Sequence, residues 1–161
     1  MRVIGFDKFG GPEVLREFEV PDIVPGPGEI RIAVRAAAVS PTDTLLRAGA
    51  RAERLGEEPP PWVPGMDAAG VVDAIGDGVE RLSIGDRVMA VVLPRASNGG
   101  YSGAVVVPEG SAVPIPSGAS FAEASTIPMN GLTAQLALDL LDLEKGATIG
   151  VTGAAGVFGG F

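Results

Sequence analysis

The chain contains no cysteine and no histidine. Without cysteine there is no disulfide and no thiolate nucleophile. Without histidine there is no imidazole to move protons near neutral pH. A zinc site would have to be built from carboxylates alone, a donor set that zinc rarely accepts. Long apolar runs are missing as well: no stretch approaches the roughly 18 residues needed to cross a bilayer. The chain opens directly on a strand-like pattern, Arg2 to Phe6, with no basic region leading into an apolar core. A signal peptide and a membrane partner are therefore not expected, and the expected location is the cytoplasm. Concentrated positive charge is also lacking. Net charge is −8, and the basic residues are scattered apart from a loose group at Arg47, Arg51 and Arg54. That pattern argues against nucleic acid as a partner. There are no internal repeats and no low-complexity tails.

What is present points to short strands and tight turns. The length of 161 residues can support a sizeable core, and the hydrophobic fraction of 46% is ordinary for a globular protein. Gly 24 and Pro 14 make up nearly a quarter of the chain, favouring many turns over long helices.

Read along the chain, Arg2 to Phe6 and Val14 to Val20 form a candidate strand pair across Gly10-Gly11-Pro12. The turn Pro25-Gly26-Pro27-Gly28 leads into Glu29 to Ala37, where Ile30, Ile32 and Val34 alternate with Glu29, Arg31 and Arg35. A period of two means one buried face and one wet face. Ser40-Pro41-Thr42-Asp43 is a helix start, with a Ser cap, Pro in the first position and Asp in the first turn. The segment from Arg51 to Trp62 is polar, then proline-rich. It reads as a solvated loop, or else as a substrate rim with Trp62 as a flat contact. Further strands are expected at Ala68–Ile75, Asp86–Leu93, Tyr101–Val107 and Ala112–Ile115. Short strands at this spacing fit a small barrel or sandwich.

The pattern then changes. Ser120-Phe121-Ala122-Glu123 is a capping box, Pro128 interrupts the helix it opens, and Leu132, Leu136, Leu140 and Leu143 follow at helical spacing. Lys145-Gly146 reads as a helix stop. A buried strand is expected at Ala147–Val151, followed by Gly153-x-x-Gly156-x-x-Gly159. A glycine triplet alone is weak evidence, and it could simply be a flexible terminus. After a helix and a strand it has the context that dinucleotide binding requires. The boundary between the β-rich part, 1–120, and the start of this α/β part, 121–161, is placed near residue 120.

Six segments in order carry a resemblance: Pro27-Gly28-Glu29, Ser40-Pro41-Thr42-Asp43, Pro64 to Val72, Gly85-Asp86-Arg87-Val88, Gly131-Leu132-Thr133-Ala134 and Gly153-Ala154-Ala155-Gly156. Together they resemble the medium-chain dehydrogenase/reductase superfamily, in its zinc-independent quinone oxidoreductase branch. Zinc enzymes of the superfamily carry Cys at the position of Ser40 and Gly-His-Glu at Gly65-Met66-Asp67, so no metal site is expected. The resemblance implies a mainly β fold with some α: a chaperonin-10-like (GroES-like), partly open β-barrel, then the first helix and strand of a Rossmann-type domain. It implies NAD(P)H-dependent hydride transfer to a quinone or an activated double bond such as an enone. It places Ser40 and Asp43 near the nicotinamide and substrate, as tentative catalytic positions. It assigns Thr133, Gly153, Ala155, Gly156 and Gly159 to the NADP or NAD cofactor. Leu45 stands where relatives often carry Tyr.

In the family a full nucleotide domain follows the glycines, so this chain resembles a truncated member and is expected not to hold the dinucleotide alone. Two alternatives stay open. One is a non-catalytic GroES-like interaction or dimerisation module. The other is one half of a split reductase. Either would give a homo-oligomer, or a partner chain covering the apolar face at 132–140.

Overall fold

The computed structural model describes residues 1–50, 52–55 and 57–161. Arg51, part of the expected substrate loop and of the loose basic group, lies outside them. Among the described residues the chain builds two antiparallel sheets. Strands β1 (Arg2–Gly5) and β2 (Arg16–Glu19) pair with each other. The larger sheet contains β3 (Glu29–Ala36), β4 (Asp67–Ile75), β5 (Arg87–Val91), β6 (Ala104–Pro108) and β7 (Ala112–Pro114), in the order β6-β3-β4-β5-β7. Among the described residues both sheets stay open and no closed barrel forms.

The period-two reading of β3 holds. Ile30 and Ile32 are fully shielded and pack with Val72, Val88, Val105 and Val107 from the neighbouring strands. Strand β4 differs, because both of its faces are covered at the start. Ala68 joins that core, while Ala69 faces a second cluster with Ile115 and Ala124. Gly70 sits where β4 runs closest to β3: a Cβ there would strike the carbonyl oxygen of Ala33 and come within 2.8 Å of the Ile32 side chain.

Three helices follow the sequence signals, with corrections at their ends. Helix α1 spans Pro41–Arg47. Helix α2, Phe121–Ala124, is opened by the expected capping box, with the Glu123 N–H donating to Ser120 Oγ and the Ser120 N–H donating to Glu123. Helix α2 stops at Ala124, and after a short turn Pro128 begins helix α3, Pro128–Leu141. Proline lacks an N–H that the first turn would leave unpaired anyway. Helix α3 ends at Asp142, whose φ of 45° and ψ of 50° are left-handed, ahead of the expected stop at Lys145-Gly146.

The expected strand at Ala147–Val151 does not form, and among the described residues no strand pairs with it. A strand exists through a neighbour's hydrogen bonds, and apolar character cannot replace them. Among the described residues no helix is long and apolar enough to cross a membrane.

Candidate active site

The site is organised by one carboxylate. Asp43 lies in the first turn of α1 and is 5% exposed. Its Oδ2 accepts the Ser40 N–H at 2.8 Å and the Tyr101 hydroxyl at 3.1 Å, and its Oδ1 accepts the Gly65 N–H at 2.9 Å. Three donors converge on a buried anion, which offsets the cost of burying it. Gly65 makes the close approach possible. Its φ of 103° is left-handed, and a Cβ would come within 2.7 Å of the Gly100 backbone. The Tyr101 phenol is pushed well above its ordinary range, first by burial and then by the charge and hydrogen bond of Asp43. It therefore stays protonated and acts as a fixed donor.

Ser40 supplies its backbone N–H to this hub. Its hydroxyl oxygen is buried and has no hydrogen-bond partner among the described residues. The two tentative catalytic positions thus lie together, with Asp43 serving as an anchor of the local backbone.

Beside the hub is a cavity of about 220 Å³. Thr42 and Asp43 contribute its polar wall. Leu46, Leu55, Met66, Leu93 and Pro94 contribute the apolar one. The segment expected to form a substrate rim reaches this cavity through Leu55. Trp62 does not line it. The Trp62 indole stacks on Phe9 at 5.4 Å, lies at 54° to Phe6, and donates its N–H to the Glu58 carbonyl at 2.9 Å. That is the environment of a structural aromatic. Leu93 also borders a second, larger cavity, which runs under the first turn of α3 past Ile127, Gly131 and Leu132.

The expected cofactor residues lie elsewhere. The Thr133 hydroxyl donates to the Met129 carbonyl within its own helix at 2.7 Å. Gly153, Gly156 and Gly159 fold back towards Ala134, Leu138 and Leu141 of α3 and line a third cavity with them; Ala155 lies in the same turn. The Gly156 N–H donates to Gly153 O at 2.8 Å, and the Gly160 N–H to Gly156 O at 3.1 Å. A pyrophosphate needs such amides free at the start of a helix. Here the Gly156 and Gly160 amides are used internally, and Phe158–Gly160 is a three-residue 3₁₀ turn.

Sequence reasoning missed two site residues. Tyr101 lies 58 positions from the aspartate it serves. Asp67, 3% exposed, accepts the Met129 N–H at 2.6 Å from 62 positions away. Burial pushes its carboxyl above the ordinary carboxylate range, the nearby Asp43 charge adds to this, and the Met129 N–H opposes it. No local pattern encodes either contact. Among the described residues, no group of three His, Cys, Asp or Glu side chains could hold a metal ion.

An open antiparallel sheet, with α1 and the entry to β4 meeting at a buried carboxylate, is the architecture of a GroES-like domain of the alcohol dehydrogenase type. The chain belongs to the alcohol dehydrogenase GroES-like domain family, matched over residues 26–117, within the medium-chain dehydrogenase/reductase superfamily. It is 36% identical to the human synaptic vesicle membrane protein VAT-1 homolog-like over 99% of this chain and 36% of that protein. The crystal structure of that human protein superposes with a TM-score of 0.83. The chain is also 36% identical to a quinone oxidoreductase of Pseudomonas aeruginosa, over 98% of this chain and 47% of the relative. The Escherichia coli quinone oxidoreductase complexed with NADPH matches at 32% identity and a TM-score of 0.70, over 86% of this chain and 40% of that one. The chain thus spans between about a third and a half of the length of these relatives. Several of its relatives are quinone oxidoreductases, one of them solved in complex with NADPH, and another solved structure that it matches is an NAD-dependent alcohol dehydrogenase.

Proposed function

We propose that this chain forms the acceptor-binding part of an NAD(P)H-dependent, zinc-independent reductase that acts on a quinone or an activated double bond. The observation that carries this reading is the cavity between Thr42, Asp43 and Met66. It is small, mainly apolar and bounded by a rigid hub. A flat electrophile suits such a wall, because its carbon framework is desolvated while the Thr42 hydroxyl reaches a carbonyl oxygen. The nicotinamide, when bound, supplies the hydride. The chain's own contribution is to exclude water and hold the acceptor in one orientation. Asp43 fixes the backbone around the acceptor, its oxygens already occupied by three donors. The glycine segment as folded here adds no support to the cofactor part of the reading.

The test is titration of the chain with duroquinone, followed by amide and methyl NMR. Saturable shifts are expected at Thr42, Leu46, Leu55 and Met66, and Met66→Trp should abolish them by filling the cavity. Shifts scattered over the surface, or none, would overturn the proposal. NADPH titrated against the chain alone should show no micromolar binding.

The exposed row on α3 favours a second reading, as an interaction module or one half of a split reductase. Leu132, Leu136 and Leu140 are all open to solvent, Leu140 at 87%. Exposed apolar rows of this kind favour association. Light scattering across a concentration series decides. Self-association lost in Leu136→Glu supports the reading, and a monomer throughout, with no partner chain bound, removes it.

A further inference from the structure

Helix α3 has no cap of its own. Its N-cap residue, Ile127, offers no side-chain oxygen, and Pro128 has no N–H. The Met129 N–H is instead taken by Asp67 Oδ1 from the first residue of β4. The carboxylate also lies at the positive end of the helix dipole. Two residues earlier, the Gly65 N–H is held by Asp43 of α1. The three-residue segment Gly65-Met66-Asp67 is therefore fixed at both ends, to α1 at one and to α3 at the other. Met66, between the two anchors, lines the cavity beside Asp43.

We propose that Asp67 is a positioning residue that caps α3 at long range and couples the setting of Met66 in the cavity wall to the first turn of that helix. The proposal stands apart from the reductase reading, because its test needs neither acceptor nor cofactor. A local Ser or Asp cap would stabilise α3 alone. A cap from β4 makes the helix start depend on the geometry of the site segment, and the site segment depend on the helix. Hydrogen bonds that join rigid elements carry coupling of this kind.

Hydrogen exchange and methyl NMR on this chain provide the test. In Asp67→Ala the protection of the Met129 amide should fall about tenfold, the scale of a lost helix cap. Ile32 and Val105 should keep their protection, and the Met66 methyl signal should move. Asp67→Asn retains an acceptor oxygen and should recover most of the loss. Unchanged Met129 protection in Asp67→Ala overturns the proposal. So does a uniform loss across the sheet, or a loosened α3 with an unmoved Met66 signal. If Asp67→Ala does not fold, Met66→Ala decides. A change in Met129 protection with none at Asp139, near the far end of α3, supports coupling; no change at Met129 rejects it.

Discussion

The five-stranded sheet and helix α3 are comparably apolar in sequence and opposite in burial. Ile30, Ile32, Val88 and Val105 are completely shielded, whereas α3 carries five leucines and has no buried residue. An apolar residue is buried only when a second layer covers it. The sheet's inner face is covered by its own strands and by Leu82, while β4 gains a second cover from the cluster that holds Ala124 of α2. Helix α3 meets the sheet at its first turn, through Met129 and Asp67; Leu138 and Leu141 border the glycine segment, and all five of its leucines remain exposed. The comparison separates two contributions that composition merges: the tendency to leave water, and the presence of somewhere to go.

The largest effect that could break this contrast is cavity formation. Ile32→Ala should cost about 2–5 kcal/mol in urea unfolding, as for other fully buried aliphatic truncations. Leu140→Ala should stay within about 0.5 kcal/mol. Equal costs would mean that α3 is covered in solution by another copy.

Next is the hub. Asp43→Ala leaves the Gly65 N–H and the Tyr101 hydroxyl without their acceptor. Each orphaned buried group costs about 1–3 kcal/mol. The Tyr101 phenol should also return towards its ordinary range, because the raising charge is removed, and ultraviolet titration reads this directly. Stability unchanged within error would show that Asp43 does not organise the site.

Glycines sharpen the contrast further. At Gly70 an added methyl meets the β3 backbone, and overpacking of this kind costs about 1–3 kcal/mol. At Gly150 an added Cβ meets nothing within 4 Å, so Gly150→Ala should change stability by less than about 0.5 kcal/mol. A marked loss at Gly150 would show that residues 147–151 are packed after all.

The same division explains what could be read from sequence. Alternation in β3, the capping box of α2 and the start of α1 are local signals, and each produced its element. The family motifs placed the GroES-like fold, and two of the residues they single out, Ser40 and Asp43, lie together at the start of α1. Three things were not legible. The strand at Ala147–Val151 depended on partners, which no apolar run can supply. The Tyr101–Asp43 and Asp67–Met129 contacts join residues 58 and 62 positions apart, with nothing in the intervening pattern to mark them. Trp62 was ambiguous because a flat exposed contact and a stacked structural ring have the same local sequence. Phe9, which settles the matter, comes from the distant N-terminal segment.

The smallest expected effect lies where the two regions meet. Asp67 is buried, and its folded-state carboxyl is raised above the ordinary value of 3.8, chiefly by desolvation and with a contribution from Asp43. The folded chain then holds this proton more tightly than the unfolded chain does. Below about pH 3.8 both states are protonated and the group makes no pH-dependent contribution. As pH rises from there through the raised folded value, the unfolded state loses its proton first, and stability declines across that window. Asp67→Asn does not titrate. The stability of the native chain minus that of Asp67→Asn should therefore fall as pH rises through the window and level off above it. Asp22, Glu109 and Glu123 are shifted in the opposite direction, but they are present in both proteins and cancel in the difference. A difference that rises with pH would reverse the balance at this residue. The Met129 N–H and the helix dipole would then outweigh burial, and the contact at the edge of α3 would hold the charged form more strongly than the core disfavours it.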